Sequence, residues 1–378
     1  MEWKIPLFKM YAGQEEIEAV SKVIGRATFW SCGPEIEEFE KAVAEYVGTK
    51  FALAFNSGTS ALHTLLLAHD VKGKEVIVPS FTFVATANAV VLAGGIPVFA
   101  EAEDETFGFD VEDVAQKITQ NTKVNICLHY GGFPAKNTAG LVQLAKERGI
   151  LLIEDAAESL GSHIGGKMAG SFGASAIFSF CQNKLLSMGE GGVIVTDDEQ
   201  VYQKAKLLRA HGRVEEAVDY FSSTGDNDYI EPGYNFRISS ISAALGLAQL
   251  GRIEDAISLR RQKAHYLSSR LGLLKGIRVP VELEGHFQTY QMYSILLENQ
   301  QLRDGLQKHL TGKGIMSKVY FNPVHLKTIY IKEFGCKEGD LANTEMLSTR
   351  VLNLPLFPSM THEELDYVIG AVEEYFNR

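Results

Sequence analysis

Lys184 closes the stretch Phe178-Ser179-Phe180-Cys181-Gln182-Asn183-Lys184, and its neighbours Phe180, Leu185 and Leu186 are apolar. An apolar setting disfavours a charged ammonium and leaves an amine able to attack a carbonyl carbon. The same pattern suits an ordinary lysine in a surface connector. Gly189-Glu190-Gly191-Gly192 follows, and its glycines permit close backbone approach. Their spacing is not the Gly-x-Gly-x-x-Gly of a dinucleotide site.

Two acids end an apolar run in Leu151-Leu152-Ile153-Glu154-Asp155-Ala156-Ala157-Glu158. A strand would deliver them at its carboxyl end, where open α/β sheets place ligands. Glu154 and Asp155 would face opposite sides, so one of them could pair with a pyridine nitrogen and keep it protonated. Metal binding is the weaker reading, because no clustered ligands accompany them; no metal site is expected.

Three further segments complete the set. Asn56-Ser57-Gly58-Thr59-Ser60-Ala61 is a glycine turn entering a helix, which presents free N–H groups and hydroxyls to an anion, or simply caps the helix. Pro79-Ser80-Phe81-Thr82-Phe83 could lay an aromatic ring over a planar cofactor, or pack it in the core. Gly233-Tyr234-Asn235-Phe236-Arg237 could bind an anion or hold a loop together. There is no Gly-x-Ser-x-Gly elbow, His-Glu-x-x-His pair or Walker loop.

The elements that must position these residues follow from periodicity. Helices are expected over residues 13–25, 34–47, 61–68, 86–93 and 139–148. Strands are expected over 51–55, 75–78, 97–100, 124–128, 150–153, 175–179 and 192–196. Strands alternating with helices imply an α/β fold with a large, mostly parallel sheet covered by helices. After residue 249 the pattern changes to a long amphipathic helix (253–273), strands at 290–297 and 314–320, and helices at 301–310 and 362–376. The expected division is 1–250, a large cofactor-binding domain, and 251–378, a smaller C-terminal α+β domain.

The 378 residues carry a formal net charge of -11, which disfavours a general nucleic-acid binder. Four scattered cysteines, Cys32, Cys127, Cys181 and Cys336, form no disulfide framework and point to a cytoplasmic location. No apolar run is long enough to cross a bilayer.

As an ordered set these segments resemble the DegT/DnrJ/EryC1/StrS family of sugar aminotransferases, with the type I aspartate-aminotransferase fold. The resemblance runs from Pro6 nearly to the end and includes Gly33-Pro34-Glu35, Leu354-Pro355-Leu356-Phe357-Pro358 and the motifs above. It implies a pyridoxal 5'-phosphate enzyme, with pyridoxamine 5'-phosphate as the aminated form, moving an amino group from L-glutamate to a nucleotide-linked keto sugar. Lys184 matches the Schiff-base lysine and Asp155 the acid at the pyridine nitrogen. Phe83 matches the stacking ring, and Gly58, Thr59 and Ser179 the phosphate ligands. Asn235 matches an amide that reaches the neighbouring subunit's phosphate, which implies a homodimer with shared active sites. Arg237 and His325 fall where relatives line the substrate side. Glu158 stands where relatives often carry His or Gln near the ring hydroxyl. A carboxylate cannot donate there, so Glu158 is either protonated or serves a different contact. The lysine favours aminotransfer over the family's dehydratase branch, in which His replaces it. The alternatives are a cyclitol or other cyclic-ketone aminotransferase, and a non-catalytic cofactor-binding regulator.

Overall fold

In a computed structural model, which describes residues 3–214 and 228–377, the seven expected strands form one sheet. They are β1 (Phe51–Phe55), β2 (Glu75–Pro79), β3 (Ile96–Ala100), β4 (Thr122–Leu128), β5 (Leu151–Asp155), β6 (Ser175–Ser179) and β7 (Gly192–Thr196). Their spatial order is β1-β7-β6-β5-β4-β2-β3. Within this sheet β7 runs antiparallel to both its neighbours, and the other described pairings are parallel. Strands covered on both faces must be apolar throughout, and β7, Gly-Val-Ile-Val-Thr, is buried along its whole length.

The helix Gly58–Ala68 starts where Ser57 Oγ accepts the N–H of Ser60 at 3.1 Å. This cap satisfies one donor that the helix itself cannot. The helix Pro34–Val47 begins with Pro, which has no N–H to leave unpaired, and stops at Gly48 in the left-handed conformation.

A second, antiparallel sheet holds β8 (Ile277–Arg278), β9 (Tyr293–Leu297) and β10 (Val351–Leu354) in that order. The long helix Ile253–Leu271 joins two cores. Ile253, Ala256 and Ile257 pack with the large sheet's outer side chains, while Ala264, Leu267 and Leu271 pack beneath β9 and β10. Ile5, from the opposite end of the chain, joins the latter core.

One expected strand does not form. Residues 314–320 make only isolated bridges, Ile5 to Ile315 and Lys318 to Asn353, because each neighbouring segment meets them at a single point. The second sheet takes Val351–Leu354 as its outer strand instead, and Pro355 follows directly and ends it. Among the described residues, no helix is long and apolar enough to cross a membrane. In the same residues, no group of three or more His, Cys, Asp or Glu is placed to hold a metal ion.

Candidate active site

The parallel strands converge at their carboxyl ends, and the residues with chemistry gather there. Asp155 is the last residue of β5 and is buried. Its Oδ2 accepts the Thr86 hydroxyl at 2.8 Å, and its Oδ1 accepts the Ala157 N–H at 3.2 Å. Thr86 lies in turn 2.9 Å from the Thr82 hydroxyl. Burial pushes the Asp155 carboxyl above its ordinary range, while the Thr86 and Ala157 bonds and the Lys184 charge act in the opposite sense. A cation placed against this carboxyl would favour its ionised form.

Lys184 stands in the connector between β6 and β7. Its Nζ donates to Glu158 Oε1 at 3.0 Å, with both side chains largely shielded from solvent (13% and 5% exposed). Glu158 Oε2 accepts the Gly131 N–H at 2.9 Å. Both carboxylate oxygens therefore act as acceptors, which is the different contact that the sequence left open for Glu158. The apolar border is real: Phe180, Leu185 and Leu186 are buried.

Glu154 takes the other side of β5. It accepts the N–H groups of Gly170, Phe172 and Gly173 at 2.6–2.7 Å, and its Oε2 lies 2.8 Å from His129 Nε2. His129 Nδ1 accepts the Ala135 N–H at 2.9 Å, so the ring proton sits on Nε2 and points at Glu154. The two acids thus separate in role: Glu154 is fully bonded into the scaffold, and Asp155 faces the site. Glu154→Ala should destabilise the fold by about 3–5 kcal/mol, because buried donors lose their acceptor. Urea unfolding of the cofactor-free protein measures this.

The anion cup has a physical basis. Gly58 and Thr59 open their helix, and the first N–H groups of a helix have no carbonyl partner within it. Ser179, at the end of β6, lies against this turn: a Cβ on Gly58 would come within 2.8 Å of Ser179 Cβ. A Cβ on Gly192 would meet the Ser57 backbone at 2.5 Å, so glycine there lets β7 approach the cup. Gly58→Ala should weaken phosphate-dependent cofactor binding by about tenfold or more, roughly 1.4 kcal/mol. Fluorescence titration of the cofactor-free protein checks it.

The Phe83 ring is 60% exposed beside this cluster and tilts toward Phe321 at 6.4 Å, leaving a face free. Asn235 is exposed, and its carbonyl lies 3.5 Å from Asn56 Nδ2 at the cup's edge. Asn56 N–H donates to Phe236 O at 2.9 Å, which lays the segment bearing Arg237, itself half-buried, beside the cup. The resemblance sets His325 on the substrate side. It is buried, with Nδ1 2.6 Å from Ser80 Oγ and Nε2 3.1 Å from Glu345 Oε1. In this geometry it braces the end of β2. The sequence also marks residues 25–33 and 215–233 as loops that would select the substrate, and the first of these is described. Most of 215–233 lies outside the described residues.

Sequence reasoning missed the donors that fix the acids. Thr86 lies three residues past the Pro79–Phe83 run and carried no role, and its spacing of four from Thr82 was the available signal. Gly131 and His129 carried no local signal.

A sequence profile of the DegT/DnrJ/EryC1/StrS aminotransferase family matches residues 11–373. The GDP-perosamine synthase of Escherichia coli O157:H7 is 36% identical over 374 residues, covering 99% of each chain. Among solved structures, Helicobacter pylori PseC, an aminotransferase involved in the biosynthesis of pseudoaminic acid, superposes with a TM-score of 0.92 at 26% identity over 100% of both chains. DesV of S. venezuelae gives a TM-score of 0.90 at 30% identity over 99% of each. The chain belongs to the DegT/DnrJ/EryC1/StrS aminotransferase family and is a pyridoxal-phosphate-dependent aminotransferase of the type I fold.

Proposed function

We propose that this enzyme transfers the amino group of L-glutamate to a keto sugar carried on a nucleoside diphosphate, with Lys184 as the residue that holds the cofactor. The observation that carries the reading is the Lys184 amine, shielded and 3.0 Å from Glu158, at the strand ends where Asp155 also opens. The names of the similar proteins support the substrate class: one is a synthase of GDP-perosamine, another an aminotransferase in pseudoaminic acid biosynthesis.

The donor set fits pyridoxal 5'-phosphate. Gly58, Thr59 and Ser179 offer N–H and hydroxyl donors to a phosphate. Phe83 offers an open ring face, and Asp155 a buried acid suited to a protonated ring nitrogen. When bound, the cofactor links to an amine and draws electron density from the carbon next to that nitrogen.

The protein's part is position and proton transfer. Asp155, held by Thr86 and Ala157, keeps one oxygen geometry for the ring nitrogen. Lys184 Nζ, once released, would accept a proton from the donor's α-carbon and return it to the cofactor's aldehyde-derived carbon, on the other side of the shared nitrogen, a transfer its tether makes intramolecular. Glu158, fixed by Gly131, holds that amine while it is free. Asn235 extends to the partner's phosphate, so two copies complete two sites. Arg237 lines the substrate side.

Mixing the holoenzyme with glutamate should move absorbance from about 400–430 nm to about 330 nm, both approximate properties of the cofactor. A non-catalytic regulator would show no such change. A panel of nucleotide-linked 3-keto and 4-keto sugars, with a cyclitol ketone beside it, should then restore the first band with a sugar. Restoration by the cyclitol alone would overturn the substrate assignment.

A further inference from the structure

The segment from Gln288 to Met292 leads into β9, far from Lys184 in sequence, yet it touches the lysine's surroundings in two places. Gln291 Nε2 donates to the carbonyl of Asn183, the residue before the lysine, at 2.6 Å. Met292 N–H donates to Gly131 O at 3.0 Å, and Gly131 N–H holds the Glu158 carboxylate that receives the Lys184 amine. One end of the lysine is therefore tied to this segment through its backbone, and the other through its charged tip.

The segment is itself pinned. Arg260, buried on the long helix, donates from Nε to Tyr290 O at 2.8 Å and from Nη2 to Gln291 O at 2.6 Å. Among the described residues no carboxylate pairs with it, and burial brings its guanidinium down to about 10. Burying a cation without a counter-charge is costly, and the two carbonyl bonds offset part of that cost while fixing where those carbonyls lie. Tyr290 stands in the left-handed region at φ 51°, a conformation that non-glycine residues adopt rarely. Gly132 completes the fit, since a Cβ there would meet Gln291 N at 2.6 Å and Tyr290 N at 2.9 Å.

We propose that Gln291, held by Arg260, is a positioning residue that sets the connector carrying Lys184. The inference rests on Lys184 being the cofactor-bearing lysine. Its amide is oriented unambiguously, because only the nitrogen can donate to the Asn183 carbonyl. Losing that bond releases the Asn183 carbonyl, one of two ties on the peptide unit that leads into Lys184, the other being the Lys184 N–H to Cys181 O at 2.9 Å, while leaving Asp155, the phosphate cup and Phe83 in place. The loss should therefore appear in turnover more than in binding.

The test uses Gln291→Met and Gln291→Leu, which keep bulk and remove the donor. In the cofactor-free protein, acetic anhydride labels lysines, and peptide mass gives the rate at Lys184 relative to Lys41, whose side chain is 76% exposed. The Lys184-to-Lys41 ratio should rise about threefold or more, and kcat in the holoenzyme should fall about tenfold with KM within about twofold. A ratio and kcat both unchanged within about twofold, whatever the melting temperature, would overturn the inference, since a merely structural role moves only stability. Should neither variant fold, a crystal structure of the wild-type holoenzyme decides: Gln291 Nε2 on Asn183 O supports the inference, and a side chain turned elsewhere overturns it. Cofactor found on a different lysine would instead defeat the underlying reading, which the labelling ratio does not depend on.

Discussion

Lys184→Ala should lower turnover by about 10³-fold or more while the protein still folds. The lysine serves both as the cofactor's covalent holder and as the base at the donor's α-carbon, so its removal ends two functions together. Folding should survive because the side chain makes one described polar contact, to Glu158, and the Gly131 N–H remains on that carboxylate. The variant leaves Glu158 less well compensated, so a modest loss of stability, about 1–3 kcal/mol, is expected. Steady-state turnover with glutamate, together with thermal unfolding, separates the effects. Full-rate turnover in a folded variant would place the chemistry elsewhere.

Asp155→Asn should cut turnover by about 10²-fold or more, as expected when a group that stabilises developing charge is neutralised. Its effect on stability should have the opposite sign. Burial holds the Asp155 carboxyl above its ordinary range. In the cofactor-free protein the folded state then binds the proton more tightly than the unfolded state does. Stability is therefore lost as pH rises from about 4, the unfolded value, through the raised folded value. Asn carries no charge and escapes this loss. At neutral pH the cofactor-free variant should melt at the same temperature as the parent or higher, and the difference should shrink toward about pH 4. An acid that costs stability yet is needed for turnover is one kept for function. A variant that melted well below the parent at neutral pH would instead mark Asp155 as structural.

The large sheet was legible because its strands announce themselves locally. Each is a short apolar run, β2 ending at Pro79, β5 at Asp155, and β3 and β7 just before Glu101 and Asp197, and all seven appear within about two residues of expectation. Asp155 and the Gly58 turn were legible for the same reason, at or within three residues of the end of such a run, while Lys184 lies five residues past β6 in a connector. What could not be read depends on contacts across the fold. Glu158 meets Lys184 26 positions away and Gly131 27 positions away, and no periodicity encodes either meeting. Gln291 reaches Asn183 across 108 positions. Residues 314–320 looked like a strand because the apolar pairs Ile315–Met316 and Val319–Tyr320 suit one, but each neighbouring segment meets them at a single point. The partners of His325 were equally illegible, since sequence shows a side chain's type and not its contacts: Ser80 lies at one ring nitrogen and Glu345 at the other.

Which amine carries the cofactor decides the proposed mechanism. Borohydride added to the holoenzyme fixes the cofactor to whichever lysine holds it, and peptide mass then locates the added group. The predicted result is a single modified peptide spanning Asn183, Lys184 and Leu185. A modified peptide lacking Lys184, or a holoenzyme that turns over glutamate yet yields no modified peptide, would contradict it.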